Sequence, residues 1–405
     1  MKIALLTLGT RGDVQPFAVL GQALKEKGHQ VTLSTGKNFE SFVKSFGIDF
    51  IPVDADFQAF MESDEGKKMM KNPFRAKKHL HTWVYPMVYN SLNTFYSIAK
   101  ENDRVLFHVK TLANIFADQF PEKMIRADVI PALQPTSAFI NPVFSGLGLP
   151  RVFNKLSYKL TALGLKMMNY PIRKFRKDAG LSANLVQRNL PGIYGISSHF
   201  LKKPDDYPAN HYFTGFWVGE KQTELEDELI TWLNEGEPPL LFTLGSMPFQ
   251  SKLNLSQVLT RIISELKIRI IVIRGWGLND TVELENHPAV KVIGSAPYDK
   301  LFPLVKAVVH HGGIGTIASC LYAGKPFLSC PVLYPLGDQH FWGTIAYKKG
   351  IALKPLPIIK LTENILIGNV KSLLNTPHLY SNSIKLMKLL KEENGTLNAI
   401  NIIEK

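Results

Sequence analysis

Two short stretches of this chain carry side chains that could do chemistry. In one, His310 and His311 precede Gly312, Gly313 and Gly315 between an apolar run and a helical pattern; in the other, Asp13 follows Gly9-Thr10-Arg11-Gly12. A histidine pair could ligate a metal, move a proton or donate to an anion. Metal binding would need further ligands at suitable spacing, and the sequence supplies no evident set. The glycines favour the third chemistry. If AVVHH is a strand and a helix begins near Gly315 or Thr316, the turn points free backbone N–H groups and the positive end of a helix dipole at whatever sits there. Glycine lets a phosphate come close to that backbone, and an imidazole at the strand end adds a side-chain donor.

Such placement demands a scaffold, and the apolar pattern provides one twice. The first series runs KIALLTL, a helix over 15–27, QVTLST, another helix and DFIPV, with RVLFHV and DVIPAL after a long middle segment. The second runs LLFTLGS, a helix through Leu266, RIIVIRG, VKVIG, AVVHH, a helix over 315–323, FLSCPV and a helix from about Asp338. Continuous apolar strands alternating with helices predict parallel sheets covered on both faces, hence two doubly wound α/β domains. Residues 202–221, rich in Pro, Asp and Gly, read as an interdomain linker, with domains over 1–219 and 220–405 and the boundary near Glu220. Ligands in such sheets sit outside the carboxyl ends of the strands, so the glycine-rich loops should face each other across a cleft.

Composition narrows the classes. The 405 residues are 45% hydrophobic and 20% charged, which is globular rather than disordered or fibrous. Two cysteines, Cys320 and Cys330, form no CxxC pair, so neither a disulfide framework nor a structural zinc site is expected, and a reducing, cytoplasmic setting is. The first apolar run stops at Gly9 and meets Arg11 and Asp13, which reads as a buried strand rather than a secretory leader. A net charge of +13 suggests an anionic partner. Basic residues crowd 67–78 and 151–177, the latter interleaved with Tyr158, Leu160, Leu163, Leu165 and Met167. That composition suits peripheral contact with an anionic membrane, or an ordinary solvated helix face.

Taken together, His310-His311-Gly312-Gly313-x-Gly315-Thr316, Ala323-Gly324-x-Pro326, Pro331 and Asp338-Gln339-x-Phe341-Trp342 resemble the donor-binding signature of the UDP-glycosyltransferase superfamily of GT-B fold, in its sterol, macrolide and glycopeptide type. Gly9-Thr10-Arg11-Gly12-Asp13-Val14-Gln15-Pro16, Phe213-Thr214-Gly215 and Gly245-Ser246 fall where the same pattern expects them, whereas residues from about 54 to 201 match poorly.

The resemblance implies transfer of a sugar, glucose foremost, from a UDP- or dTDP-sugar to an acceptor hydroxyl with inversion at the anomeric carbon. It places His311 on the diphosphate with the amides around Gly313, Gly315 and Thr316, leaves His310 to support the strand end, and puts Asp338 and Gln339 on sugar hydroxyls. Gly12 and Ser246 are expected near the donor phosphates, and Ser295 and Ala296 near the nucleobase, although Tyr298 stands where a histidine is common. Asp13 is the expected general base, with His108 a second catalytic candidate pointing toward the same cleft. Asp13 could instead satisfy loop amides or cap a helix, and Asp338 could be a helix N-cap.

Asp54-Ala55-Asp56 resembles the metal-binding DxD of a different glycosyltransferase fold, but reads here as a loop, so no metal or cofactor is expected beyond the nucleotide sugar. A nucleotide-sugar epimerase of similar fold and a non-catalytic nucleotide-sugar-binding protein are the alternatives. Phe57, Phe60, Trp83, Tyr85, Met87, Tyr89, Phe139 and Phe144 favour a flat or greasy acceptor, and nucleic acid is not an expected partner.

Overall fold

The computed structural model describes residues 1–54, 80–186, 188–219, 223–245, 253–274 and 282–405. Its first sheet has seven strands, β1 (Lys2–Leu6), β2 (Gln30–Gly36), β3 (Asp49–Val53), β4 (Arg104–Phe107), β5 (Met124–Asp128), β6 (Gly192–Tyr194) and β7 (His211–Phe213), in the order β3-β2-β1-β4-β5-β6-β7. The second has five, β8 (Leu240–Thr243), β9 (Ile270–Ile273), β10 (Val290–Ile293), β11 (Ala307–His310) and β12 (Phe327–Ser329), in the order β10-β9-β8-β11-β12. Every pairing in both sheets is parallel.

Because side chains alternate across a strand, a central strand must be apolar on both faces. In β1, Ile3 and Leu5 pack under the Arg11–Glu26 helix, while Ala4 and Leu6 face Leu92 and Phe95 of the Tyr85–Glu101 helix. The winding reverses between β1 and β4 and again between β8 and β11. At these two places the connecting loops diverge, and a crevice opens above the carboxyl ends of the strands.

Four of the expected boundaries are corrected. The first helix starts at Arg11 rather than at residue 15, and the strand expected at DVIPAL lies earlier, at Met124–Asp128. Residues 202–221 are not linker throughout, since His211–Phe213 pairs with β6 as an edge strand; the boundary near Glu220 falls outside the described residues. Nor does 220–405 stay on the second sheet. The Gly395–Ile403 helix returns to the first domain, where Ala399, Ile400 and Ile403 pack with Ile3 and Leu5, Asn398 donates to the Thr214 carbonyl at 2.9 Å, and the Ile403 carbonyl accepts from Arg104 Nε at 3.3 Å. A continuous core carrying Tyr194, Phe200, Phe216 and Trp342 also joins the halves.

This crossing predicts that Ile400→Ala, which empties a buried site against β1, lowers unfolding stability by roughly 2 to 5 kcal/mol. Urea denaturation should report it as a lower midpoint at unchanged slope.

Candidate functional site

On the first-domain side, Asp13 lies in the opening turn of the Arg11–Glu26 helix. Its carboxylate reaches back to accept the Thr10 N–H at 2.8 Å, closing a capping box. Gly9 makes this possible: its φ is +135°, and a Cβ there would collide with the Asp13 carboxylate. The helix-capping role is therefore real, but it does not exhaust the carboxylate. Lys110, three residues past β4, sets its ammonium 2.7 Å from both oxygens. Asp13 is buried while Lys110 is half-exposed. Burial alone would raise the Asp13 pKa, but the attraction of Lys110, the nearby His108 and the Thr10 amide hold it below the ordinary carboxylate value. The result is a buried, ionised carboxylate.

His108, expected to point into the cleft, is instead fully buried beneath Asp13, with Nε2 4.0 Å from the carboxylate and its ring edge-on to Phe17. Burial pushes its pKa down to about 4, Asp13 opposing and Lys110 adding, so the ring is neutral near neutral pH. It can support Asp13 from behind, both of its ring nitrogens being buried without a hydrogen-bond partner among the described residues. In the sequence nothing marks Lys110 beyond its position just after the RVLFHV strand.

On the second-domain side, His310 ends β11 and its Nδ1 accepts the Gly312 N–H at 3.0 Å, which pins the turn. His311 turns the other way. A Cβ on Gly245, whose φ is +65°, would lie 2.7 Å from His311 Cε1, and one on Gly313 would strike Nε2, so two glycines make room for this ring. Its Nδ1 is buried without a partner. Burial lowers the His311 pKa to about 4, leaving a neutral imidazole that can donate from one nitrogen. Gly313 caps the Ile314–Tyr322 helix without a side-chain hydrogen bond, so the N–H groups of its first turn, including Gly315 and Thr316, remain for a ligand.

Asp338 precedes the Gln339–Lys348 helix but does not cap it with its side chain; the carboxylate accepts the Trp342 indole N–H at 2.9 Å. Burial raises its pKa, partly countered by Lys110 and Trp342, and Asp13 pushes it further up. Asp338 thus feels Asp13 and Lys110 across the cleft. Gln339 is more committed than expected: its Oε1 accepts the Val332 and Leu333 N–H groups at 2.8 and 3.0 Å, so only its amide N–H groups could serve a sugar. Ser295 is exposed after β10, with Ala296 half-buried beside it, and Tyr298 stacks on Phe302 at 4.4 Å. Gly12 is exposed in the same turn as Asp13. Ser246, Asp56, Phe57, Phe60 and the basic residues of 67–78 lie outside the described residues. The two sides meet directly where the Gly337 N–H donates to the Val143 carbonyl at 2.8 Å and Phe139 packs on Phe341 at 5.2 Å. Among the described residues, no group of three or more His, Cys, Asp or Glu side chains could hold a metal ion.

Known proteins place this arrangement. Residues 3–103 match the Glycosyltransferase family 28 N-terminal domain. A sterol 3-beta-glucosyltransferase of Arabidopsis thaliana is 30% identical over 425 residues, covering 99% of this chain and 67% of the relative. The O-mycaminosyltylonolide 6-deoxyallosyltransferase of Streptomyces fradiae is 26% identical, covering 100% and 97%. Among solved structures, the glycosyltransferase of kitacinnamycin superposes with a TM-score of 0.74 at 18% identity, covering 100% of this chain and 98% of that one. A Streptomyces glycosyltransferase complexed with thymidine diphosphate superposes at 0.61 and 17% identity, covering 100% and 99%. The chain belongs to the UDP-glycosyltransferase superfamily of GT-B fold, in the branch that holds sterol and macrolide glycosyltransferases. It spans about two thirds of the length of the Arabidopsis relative and between a quarter and a third of the fungal sterol 3-beta-glucosyltransferases it also matches.

If His311 faces the diphosphate, His311→Ala removes one hydrogen bond to a charged group, about 1.5 to 3 kcal/mol or roughly ten- to a hundredfold in affinity. Calorimetric titration with UDP and with dTDP checks this; unchanged affinity for both would take His311 out of the site.

Proposed function

We propose that this chain is an inverting glycosyltransferase that moves a hexose, glucose foremost, from a UDP- or dTDP-sugar to a hydroxyl of a lipophilic or polycyclic acceptor. The observation that carries the reading is the opposition of an ionised, buried Asp13 at one switch point to a glycine-flanked helix N-terminus with a neutral His311 at the other. Asp13 takes the acceptor's proton as its oxygen attacks the anomeric carbon. The bond from that carbon to the phosphate oxygen breaks, and the nucleoside diphosphate leaves with the electron pair. His311 and the first-turn amides around Gly313, Gly315 and Thr316 meet its growing charge, while Asp338 and the free amide of Gln339 accept and donate to sugar hydroxyls.

Lys110 occupies Asp13 in the absence of substrate, and its half-exposed side chain can swing away as a hydroxyl enters. Helix-terminus amides and His311 supply what a divalent ion would otherwise supply to the diphosphate, so no metal enters the proposal. The names of the Arabidopsis and Streptomyces relatives support a sterol-like or macrolide-like acceptor, and a thymidine diphosphate complex among the solved neighbours supports a nucleoside diphosphate donor. The reading includes a peripheral contact with anionic membrane, from which a lipid-soluble acceptor is taken. An epimerase would convert the donor with no acceptor present, and a binding protein would turn nothing over.

Asp13→Asn keeps the size of the side chain but cannot take the proton, so turnover on an unactivated alcohol should fall about 10²- to 10⁴-fold with little change in donor affinity. A nitrophenol acceptor, whose hydroxyl is more acidic, should recover part of the loss; near-full turnover of the variant on the alcohol excludes the role.

Lys110→Met removes the main opposition to burial and raises the Asp13 pKa. The base works only when ionised, so rate is lost as pH falls through that pKa, and the acid limb of the kcat/KM profile should move to higher pH in the variant. An unmoved limb would separate Lys110 from the titrating group.

A further inference from the structure

The Asn154–Leu165 helix wears its polar face inward and its apolar face outward. Inward, Asn154, Ser157 and Tyr158 are buried. Asn154 Nδ2 donates to the Ser137 carbonyl at 2.8 Å, Ser157 Oγ accepts the Asn141 N–H at 2.8 Å, and Thr161 Oγ1 accepts from Asn141 Nδ2 at 2.9 Å. Outward, Leu156, Leu160 and Leu163 are 48%, 45% and 58% exposed, and Val152 before and Met167 after the helix continue the stripe at 82% and 48%. The steps of three and four residues align these side chains along one face. Five exposed apolar residues in a row are unusual on a solvated surface, because each leaves unburied the area that normally drives packing.

The charges beside the stripe identify what covers it. Arg151, Lys159 and Lys166 flank it, with Lys155 paired to Asp206 at 3.6 Å, and no aspartate or glutamate occurs from Arg151 to Lys177. Lysine and arginine stems can lie along an apolar surface while their heads reach outward to phosphate level, the composition of a helix lying in a membrane interface. A second copy of this chain fits poorly, because two such stripes would bring like charges together.

We propose that this helix docks the protein on an anionic lipid surface, its apolar stripe entering the headgroup boundary and its basic residues pairing with lipid phosphates. The inner face of the same helix holds the 137–141 segment, and Phe139 of that segment packs against Phe341 of the donor domain. A bilayer on the outer face therefore lies beside the acceptor side of the cleft. The proposal rests on the lipophilic-acceptor reading only for its purpose; docking itself stands on the helix.

The test is cosedimentation of the whole chain with phosphatidylcholine vesicles, with or without phosphatidylserine, over a salt series. Binding should favour the anionic vesicles by about tenfold or more and fade as salt rises, as expected for several basic residues acting near the surface. Leu160→Asp with Leu163→Asp should lose binding while keeping its thermal midpoint and its turnover on a water-soluble phenolic acceptor. Lys159→Glu with Lys166→Glu should weaken binding about tenfold or more and flatten the salt dependence. The proposal is overturned by no binding at low salt, by equal binding to neutral vesicles, or by binding that the leucine variant retains. It is equally overturned by a wild-type dimer that the leucine variant dissociates, which would give the stripe to a second copy. Loss of turnover on every acceptor with docking intact would strike the transfer reading and leave the docking surface standing.

Discussion

Parallel strands joined by right-handed crossovers can be wound outward in two directions from a central pair, and where the direction reverses no connection can cover the carboxyl ends of that pair. This constraint places the candidate site. Asp13 follows β1, and His108 and Lys110 follow β4; Gly245 follows β8, and His310 through Gly313 follow β11. Each group is contributed by one strand of a reversing pair, and the two pairs belong to sheets whose open ends approach each other. The returning Gly395–Ile403 helix and the shared core around Phe200 and Trp342 hold those ends together.

Within the crevice, low polarity acts in opposite senses on the two kinds of titrating group. Burial favours the neutral form of each, which would protonate a lone carboxylate and strips the charge from an imidazole. Asp13 escapes because Lys110, His108 and the Thr10 amide outweigh its desolvation. His108, His310 and His311 do not escape, and all three are pushed toward the neutral ring. The cleft therefore presents a charged acceptor of protons on one side and neutral hydrogen-bond donors on the other. Lys110 stands between them, half-exposed beside the buried Asp13, and its field reaches Asp338 as well as Asp13.

The Asn154–Leu165 helix obeys the same rules of burial in an inverted arrangement. Its inward polar atoms are matched by Ser137 and Asn141, so facing the protein leaves few of them unpaired. Its outward leucines stay exposed, with basic residues on either side of them.

Much of this was legible in the sequence, for a physical reason. Strands buried on both faces must be continuously apolar, and helix entries that meet anions must be glycine-rich, so β1, β8, β9 and β11 and the loops after β1 and β11 announce themselves by local composition alone. A capping role for Asp13 is legible there too, but the helix start is not, because Arg11 and Gly12 look like loop although the helix begins at Arg11. Short strands such as β6 and β7, three residues each, are too brief to show a period, and their place is decided by pairing, β6 with β5 and the edge strand β7 with β6. His108 and Lys110 are separated by one residue, yet one is sealed under Asp13 and the other grips it from the solvent side; which of them meets the cleft depends on how β4 lies beside β1. The amide of Gln339 was likewise free to bind a sugar until the Val332–Leu333 backbone claimed its oxygen. Local sequence determined the elements and the kinds of groups at their ends, because propensity and burial act on neighbours along the chain. Which groups pair, which are buried and which stay open was decided only by the tertiary structure, because those choices depend on distances between residues far apart in sequence.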